Sequence, residues 1–380
     1  MPQSSLQRSY LICRKDVEEL THRATHPAVS IYLNTGQGTS SRQSIRRYLH
    51  LLHAAEHLLQ VRREPFGSGV HNALEEAYAL ADANEFWNQT EQSAAIFLTD
   101  DYFRAFHLPV SVQEQSVVNG RFRLKPLLQV LTFDATFAIL VLSQIHPRLY
   151  QASRFELAEI AVPGMPQPRR QVGRGEQEDR PQLREADPFF DTKEARREEL
   201  IDYLRAVDHA VLPILNHRAL PLVLVGGEHQ VALYRQLSHY AQIEPQAVEG
   251  APDRLSGRAL QSEAYMAIQK NLRDGIAVKL QRLRELEGVG SPKAVSGVEE
   301  IIRDVAVGKV SELFVAGDHE EQGRISESGV VELLGHPAPD SYDLLDVAAI
   351  QAHLAGAEVY VLPEAELPEG RKAVALLRYA

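Results

Sequence analysis

The chain has 380 residues, of which 44% are hydrophobic and 24% are charged, which is typical of a folded globular protein with more than one domain. Its formal net charge of −11 at pH 7 argues against a protein that coats nucleic acid through its overall charge, so any RNA contact has to come from local clusters of arginine. A single cysteine, Cys13, excludes an internal disulfide bond and a thiolate cluster for zinc or iron–sulfur.

Membrane insertion and export are not expected. No apolar run approaches the eighteen or more residues needed to span a bilayer. The first eight residues have no apolar core of the kind found in signal peptides. We therefore expect a cytoplasmic protein without a membrane partner.

Residues 1–130 are predicted to form the first of three domains. A helix over 15–23 precedes a strand over 28–33, a loop over 34–39 and a helix over 41–62. The last helix has apolar residues at helical spacing on one face, namely Ile45, Tyr48 or Leu49, Leu52, Ala55 and Leu59. A further helix ends near Phe86 and Trp87, residues 94–98 and 102–108 form a hairpin, and residues 122–128 close the domain.

Residues 131–268 are predicted to form the second domain. The continuous apolar run over 137–142 indicates a strand covered on both faces, with a partner strand over 148–151. Helices over 192–212 and 230–240 flank a buried strand over 222–225. Between the strand over 148–151 and the helix over 192–212, residues 163–188 are rich in Pro, Gln, Arg, Glu and Gly. We expect this loop to be poorly ordered in isolation, because few apolar side chains offset its ordering entropy.

Residues 269–380 are predicted to form the third domain. A long polar helix over 256–287 leads into it. Helices over 297–307 and 344–354 alternate with strands over 312–316, 359–362 and 373–377. This alternation predicts an α/β protein with mixed sheets, whose third domain is a small α/β/α sandwich.

The order of these segments resembles the class-one peptide release factors of archaea and eukaryotes and their ribosome-rescue relative Pelota. It resembles the bacterial archaeo-eukaryotic release factor families more closely. The resemblance covers nearly the whole chain as a pattern, and its carriers are Val29–Leu33, Phe86-Trp87, Phe122–Leu128, Pro221–Gly226, Gly297–Glu300, Gly308–Val315, Asp343–Leu345 and Ala373–Tyr379.

The resemblance implies a function for each domain. The first would be an A-site or decoding-like domain, the second would be directed at the peptidyl-transferase centre, and the third resembles kink-turn-binding ribosomal proteins. The implied partners are the ribosome and tRNA, with a translational GTPase as a further candidate and with no cofactor or metal. The implied function is a translation factor of the release or rescue type. The alternative is a non-catalytic factor that binds the ribosome or a structured RNA, as in hibernation or quality control.

The long loop of the middle domain carries Gly-Gly-Gln in the family. The matching stretch here reads Gly173-Arg174-Gly175-Glu176-Gln177, so the resemblance implies Gly173, Gly175 and Gln177 as the catalytic positions. Glu176 stands where the family has its second glycine. A carboxylate there adds a Cβ atom and a negative charge in a site walled by phosphates, so we expect hydrolysis of peptidyl-tRNA to be weak or absent.

Six arginines are predicted to contact RNA phosphates. Arg42, Arg46 and Arg47 lie at the junction of a loop and a helix where true decoders carry Asn-Ile-Lys-Ser, so stop-codon reading is not implied here. The other three, Arg169, Arg170 and Arg174, lie in or beside the loop that matches Gly-Gly-Gln. The next candidates for phosphate contact are Arg121, Arg123 and Lys125.

Two further patterns favour structural interpretations. His50, His53 and His57 fall on one flank of a helix and are a polar border more readily than a metal site. Residues 226–229, Gly-Gly-Glu-His, open a helix after a buried strand, where close packing explains the glycines better than anion binding. A hydrolase that uses strand edges of the middle domain is a third functional class, without specific support in the sequence.

Overall fold

The computed structural model describes residues 14–23, 27–36, 40–61, 68–88, 92–143, 146–166, 193–250, 255–326, 328–336, 338, 341–368 and 370–379. The chain divides into two compact units, one formed by residues 1–133 together with 276–380 and the other by residues 134–275. The mixed α/β class with several sheets is confirmed. The division into three domains stays a prediction. Among the described residues, no helix combines the length and apolarity that a bilayer crossing requires.

The first 133 residues build an antiparallel sheet of order β3-β2-β1-β4. The elements are α1 (Arg14–Arg23), β1 (Ala28–Asn34), α2 (Ser41–Val61), α3 (Ser68–Leu80), α4 (Asn84–Trp87), β2 (Ser93–Leu98), β3 (Phe103–Leu108), β4 (Gln115–Asn119) and α5 (Lys125–Thr132). The predicted hairpin is confirmed, since Leu98 pairs with Phe103. The apolar face of α2 is also confirmed, with Tyr48 fully buried and Leu49 only partly so.

The second unit contains a five-stranded sheet of order β7-β6-β5-β8-β9. Its elements are β5 (Phe137–Val141), β6 (Arg148–Ala152), β7 (Leu157–Ile160), α6 (Lys193–Arg218), β8 (Leu222–Gly226), α7 (Glu228–Leu237), β9 (Val248–Glu249) and the first part of α8 (Gly257–Gly288). Alternate residues of β5 enter two different cores, Leu140 with α6 and α7 and Ile139 with α8. This confirms that β5 is covered on both faces.

The length of α6 differs from the prediction. The helix was expected to end at Leu212, yet it continues to Arg218 with Pro213 inside it. A proline removes one backbone donor from a helix and disfavours its continuation. Val211 and Leu215 are buried on either side of it, so tertiary packing stabilises the additional residues and the predicted end was wrong.

The rest of the first unit contains two sheets, of orders β10-β16-β11-β15 and β13-β12-β14. Their elements are β10 (Ala294–Val295), α9 (Val298–Ala306), β11 (Val310–Ala316), β12 (Gln322–Ile325), β13 (Val331–Leu333), β14 (Tyr342–Asp343), α10 (Leu344–Leu354), β15 (Glu358–Leu362) and β16 (Ala373–Leu377). Phe314 and Ala316 of β11 pack against α8 residues such as Leu283.

The small sheet of β12, β13 and β14 depends on a glycine. A Cβ atom on Gly323 would lie 2.3 Å from Leu344 Cδ1 and 2.5 Å from the Glu332 carbonyl oxygen, so no other residue fits without movement of the backbone. This close approach brings β12 against the start of α10. The end of β14 and the start of α10 thereby place Asp343 and Asp346 near the segment that precedes α5.

Candidate functional site

Two of the predicted phosphate-contacting arginines are exposed on one side of α2. Arg42 and Arg46 lie four residues apart at the start of the helix, so their side chains occupy the same face. The helix begins at Ser41, whose hydroxyl donates a hydrogen bond to the Trp87 carbonyl oxygen at 3.0 Å. The start of α2 is therefore fixed to α4, and the two guanidinium groups project from a rigid support.

Arg47 has a different role from its two neighbours. Its Nη1 lies 2.6 Å from Glu114 Oε1, and its Nη2 donates to the Asn34 carbonyl oxygen at 2.6 Å. The side chain is 38% exposed. It joins the end of β1, the helix α2 and the segment before β4, so it holds the base of the loop that leads from β1 into α2.

Asn34 reinforces that base from the other side. Its Oδ1 accepts hydrogen bonds from Ser93 Oγ at 2.9 Å, Ser111 Oγ at 3.1 Å and the Val112 amide at 3.2 Å. One side-chain oxygen thus connects β1 to β2 and to the segment before β4. This arrangement presents Arg42 and Arg46 in a defined position and was not foreseen from the sequence, although an asparagine at the end of a strand is a common turn-forming signal.

The prediction of a phosphate contact is wrong for two of the three residues named as the next candidates. Lys125 is fully buried, with its Nζ 2.9 Å from Asp343 Oδ2, and it also donates to the His319 carbonyl oxygen. Arg123 is mostly buried between Glu320 at 2.8 Å and Asp343 at 3.3 Å. Both cations are already neutralised away from solvent, so a phosphate cannot reach them.

Arg121 is the exposed member of that trio. Its guanidinium carbon lies 4.7 Å from the centre of the Tyr342 ring, within the range of a cation–π contact. It borders a cavity of about 260 Å³ between β4 and β14 that is also lined by Gln115, Gln322 and Tyr342. Arg121 therefore remains available at the surface.

Asp346 is a fully buried carboxylate beside this ion-pair cluster. Its Oδ1 accepts hydrogen bonds from the backbone amides of Leu124, at 2.8 Å, and Lys125, at the start of α5. Burial and then the neighbouring Asp343 carboxylate raise the pKa of Asp346 to about 6, against the opposing attraction of Arg123. The cluster joins the segment before α5 to the start of α10 within the first unit.

The middle of the chain matches the model of a known protein family. Residues 136–309 match the model of bacterial archaeo-eukaryotic release factor family 3. This segment, 174 of the 380 residues, is similar to the bacterial archaeo-eukaryotic release factors. The matched residues begin before β5 and end before β11, so they include the whole sheet of the second unit. The curated proteins contain no match to the chain.

Several solved structures are similar at low identity. The archaeal translation termination factor aRF1 is 12% identical with a TM-score of 0.24, over 97% of this chain and 99% of that chain. Pelota of Archaeoglobus fulgidus is 12% identical with a TM-score of 0.33, over 76% of this chain and 79% of that chain. The termination-like factor Dom34 of S. cerevisiae is 12% identical with a TM-score of 0.34, over the same two shares. At these scores, the three structures add no argument to the family match.

The loop that would correspond to the Gly-Gly-Gln loop of release factors lies outside the described residues. Gly173, Gly175 and Gln177, and the arginines Arg169, Arg170 and Arg174, all fall between residues 166 and 193. The expectation of poor order for residues 163–188 falls there too, apart from residues 163–166. The described flanks are β7, an edge strand, and α6.

The described structure locates two other patterns noted in the sequence. His50, His53 and His57 are exposed on α2, and the described part of the chain contains no group of three or more His, Cys, Asp or Glu residues arranged to hold a metal ion. A Cβ atom on Gly226 would lie 3.1 Å from Leu142 Cβ. The close packing predicted for the Gly226-Gly227 pair is therefore confirmed at Gly226.

Proposed function

We propose that this protein is a translation factor of the release or rescue type that binds the ribosome. The observation that carries the proposal is the match of residues 136–309 to a bacterial archaeo-eukaryotic release factor family. The proposed partners are the ribosome and tRNA, a translational GTPase is a further candidate, and the cytoplasm is the compartment. In this proposal the protein acts by RNA contact.

The proposed RNA contacts on the first unit are Arg42 and Arg46. Both are exposed on one face of α2, and guanidinium groups bind phosphate oxygens with paired, charge-assisted hydrogen bonds. Arg47 supports them by fixing the loop base through Glu114 and Asn34. In a chain of net charge −11, such local cations provide the attraction to RNA that the overall charge does not.

The loop arginines Arg169, Arg170 and Arg174 are proposed as further RNA contacts. Gly173, Gly175 and Gln177 are the proposed counterparts of the family's reactive positions. Charge that develops as water attacks the peptidyl-tRNA ester would be stabilised by the Gln177 backbone amide. Glu176 opposes this chemistry, because its carboxylate is repelled by surrounding phosphates and its Cβ disfavours a positive φ. We therefore propose binding with little hydrolysis.

Sedimentation with ribosomes tests the proposed function. Purified protein is mixed with ribosomes from its own host and centrifuged through a sucrose gradient at low and at high salt. We expect the protein in the ribosomal fractions at low salt and less of it at high salt, because phosphate contacts are weakened by added salt. Protein that stays at the top of the gradient at both salt concentrations contradicts the proposal.

A charge-reversal pair makes the test specific. Arg42→Glu with Arg46→Glu should remove most of the protein from the ribosomal fractions. Lys15→Glu with Arg282→Glu changes the total charge equally at exposed positions on α1 and α8, and should leave sedimentation nearly unchanged. Equal losses in both variants would show that only overall charge matters.

The second candidate function is a non-catalytic binding factor for the ribosome or a structured RNA, and Glu176 is the feature that favours it. Release of labelled peptide from stalled ribosomes distinguishes the two. Binding with measurable release indicates a release or rescue factor. Binding without release, under conditions where a competent release factor acts, indicates the binding factor.

A further inference from the structure

A second group of cations meets at one end of the sheet formed by β10, β16, β11 and β15. Lys293 precedes β10, Arg378 follows β16, and Lys309 precedes β11. These three strands are neighbours in the sheet. The Leu377 amide donates to the Lys293 carbonyl oxygen at 2.8 Å, and the Arg378 amide donates to the Lys309 carbonyl oxygen at 2.9 Å. The three backbones therefore lie within two strand spacings, roughly 10 Å.

The end of α9 determines where Lys309 lies. Gly308 has a φ of +71°, a conformation that glycine adopts without steric cost. Its amide donates to the Val305 carbonyl oxygen at 3.0 Å, and the Lys309 amide donates to the Asp304 carbonyl oxygen at 2.9 Å. This pattern ends the helix and reverses the chain into β11. Lys309 is thus held at the end of the sheet by backbone geometry.

An exposed aromatic ring lies beside the cations. Tyr379 is 53% exposed, and Lys309 Nζ lies 5.8 Å from the centre of its ring. Arg378 Nη2 donates to the Gly356 carbonyl oxygen at 3.2 Å, which ties this segment to the end of α10. A tyrosine that is exposed next to lysine and arginine offers a flat π-face for stacking.

The positive charge of this group is not neutralised within the described structure. Among the described residues, no carboxylate forms an ion pair with Lys293, Lys309 or Arg378. Other lysines around this sheet are paired, since Lys279 contacts Glu312 and Glu358, and Lys372, at the opposite end of β16, contacts Glu321. A positive group that stays unpaired in a chain of net charge −11 has an external anion as its natural counterpart.

We propose that Lys293, Lys309, Arg378 and Tyr379 form an RNA-binding surface, which we call the sheet-end patch. The three cations contact phosphates, and the Tyr379 ring stacks on a base of a single-stranded segment. The exposed ring favours RNA over an acidic protein, because every base has a π-face to stack on it. The assignment of ribosomal or transfer RNA as the natural ligand rests on the proposed function, whereas affinity for RNA itself does not.

Titration of a fluorescein-labelled oligouridine at several salt concentrations tests the cations. The triple change Lys293→Ala, Lys309→Ala, Arg378→Ala should weaken binding and lower the slope of log K against log salt by about two to three. The control triple Lys15→Ala, Lys270→Ala, Arg282→Ala removes the same charge from exposed positions on α1 and α8, and should keep the slope. Equal slopes for the wild type and the patch triple overturn the proposal.

Tyr379 gives a separate test of stacking. Tyr379→Ala should weaken oligouridine binding by about tenfold without a change in salt slope, and Tyr379→Phe should restore the affinity because it keeps the ring. A loss in both variants, or in neither, contradicts stacking. The side chain is largely exposed, so neither change is expected to affect folding.

A photo-crosslinking amino acid at position 379 identifies the natural ligand on ribosomes. A crosslink to RNA supports the patch, and a crosslink to protein alone overturns it in favour of an acidic protein partner.

Failure of the proposed function and failure of the sheet-end patch give different results. A protein that does not sediment with ribosomes but loses oligouridine binding in the patch triple retains the patch and loses the proposed function. A protein that sediments equally with and without the patch, and binds oligouridine equally, retains the function and loses the patch.

Discussion

The Lys125 ammonium group lies 2.9 Å from the Asp343 carboxylate, and both side chains are buried. Asp343 also accepts hydrogen bonds from the Glu321 amide at 3.0 Å and, as the N-cap of α10, from the Leu345 amide at 3.1 Å. One carboxylate therefore holds the start of α10 and the segment after β11, and pairs with the first residue of α5. The pair links the first 133 residues to the last 105 within one unit.

Removal of one partner of this pair should destabilise the first unit. Among the described residues, Lys125→Met leaves the buried Asp343 carboxylate with Arg123 as its one remaining cation. Breaking a buried ion pair costs about 3–5 kcal/mol. The control Lys279→Met removes a lysine whose side chain is 35% exposed and should cost about 1 kcal/mol or less. Trp87 is the only tryptophan in the chain and is buried in the first unit, so its fluorescence during urea unfolding reports on this unit. Equal midpoints for the two variants would contradict a stabilising role of the pair.

Asp346 should make the first unit more stable at mildly acidic pH. Its pKa in the folded protein is about 6, above the usual value of about 4 for an unfolded aspartate. The folded state therefore binds the proton more tightly, so stability falls as pH rises from about 4 to about 6.5, by on the order of 3 kcal/mol. The groups that face Asp346 are Asp343, Arg123, Lys125 and Tyr32.

The substitution Asp346→Asn isolates this effect. The variant keeps a side-chain acceptor for the α5 amides but cannot ionise. As pH rises from about 4 to about 7, the wild type should lose unfolding free energy relative to the variant, so the difference between them should grow in favour of the variant. Asp82→Asn, at an exposed position of the same unit, should give a constant difference. The measurement is urea unfolding monitored by Trp87 fluorescence across this range. A constant difference for Asp346→Asn as well contradicts the assignment.

Arg47 should support RNA binding without contributing a phosphate contact of its own. Arg47→Ala frees the loop base, so ribosome affinity should fall several-fold while the slope of log K against log salt stays unchanged. Glu114→Ala removes the other end of the same contact, and the double variant should be no weaker than Arg47→Ala alone because the two residues act together. By contrast, Arg42→Ala with Arg46→Ala should lower the slope by about two. A drop of about one in the slope for Arg47→Ala would instead make it a direct phosphate contact.

Elements with a strong local pattern were predictable from the sequence. The helix α10 and the strand β16 have the predicted bounds, because each combines a continuous apolar stretch with a clear boundary residue such as Asp343.

The small sheet of β12, β13 and β14 was not foreseen. Its strands have two to four residues and little apolar alternation, and their pairing depends on the absence of a side chain at Gly323.

Parts of the candidate site could not be predicted because they depend on distant partners. Arg123 and Asp343 are 220 positions apart in the chain, and no local pattern shows that one neutralises the other. The basic character of Arg123 and Lys125 suggested a surface role, whereas their burial follows from the approach of α10. The sequence did contain a signal that Lys125 is buried, since Lys125 and Pro126 begin a helix whose other residues are mostly apolar. Arg42 and Arg46, whose exposure depends only on the face of one helix, were placed correctly at the surface.

The loop that matches Gly-Gly-Gln gives the most direct test of chemistry. Peptide release by the natural protein should be weak or absent, because in the proposed correspondence Glu176 stands at the position of the second glycine of Gly-Gly-Gln. Glu176→Gly would create Gly-Gly-Gln from Gly175 to Gln177, permit positive φ without steric cost and remove a carboxylate from a phosphate-rich surrounding. This one change should raise the hydrolysis of peptidyl-tRNA on stalled ribosomes, measured as release of labelled peptide.

Two further substitutions identify the group that acts. Gln177→Ala added to Glu176→Gly should keep most of the gain, since the backbone amide stabilises the developing charge. Gln177→Pro lacks that amide and should abolish the gain. Glu178→Gly provides the matched control, because it also replaces a loop glutamate by glycine but does not complete the motif. If Glu176→Gly binds ribosomes like the wild type and still releases no peptide, the loop does not reach the catalytic centre, and the non-catalytic binding factor becomes the better description of this protein.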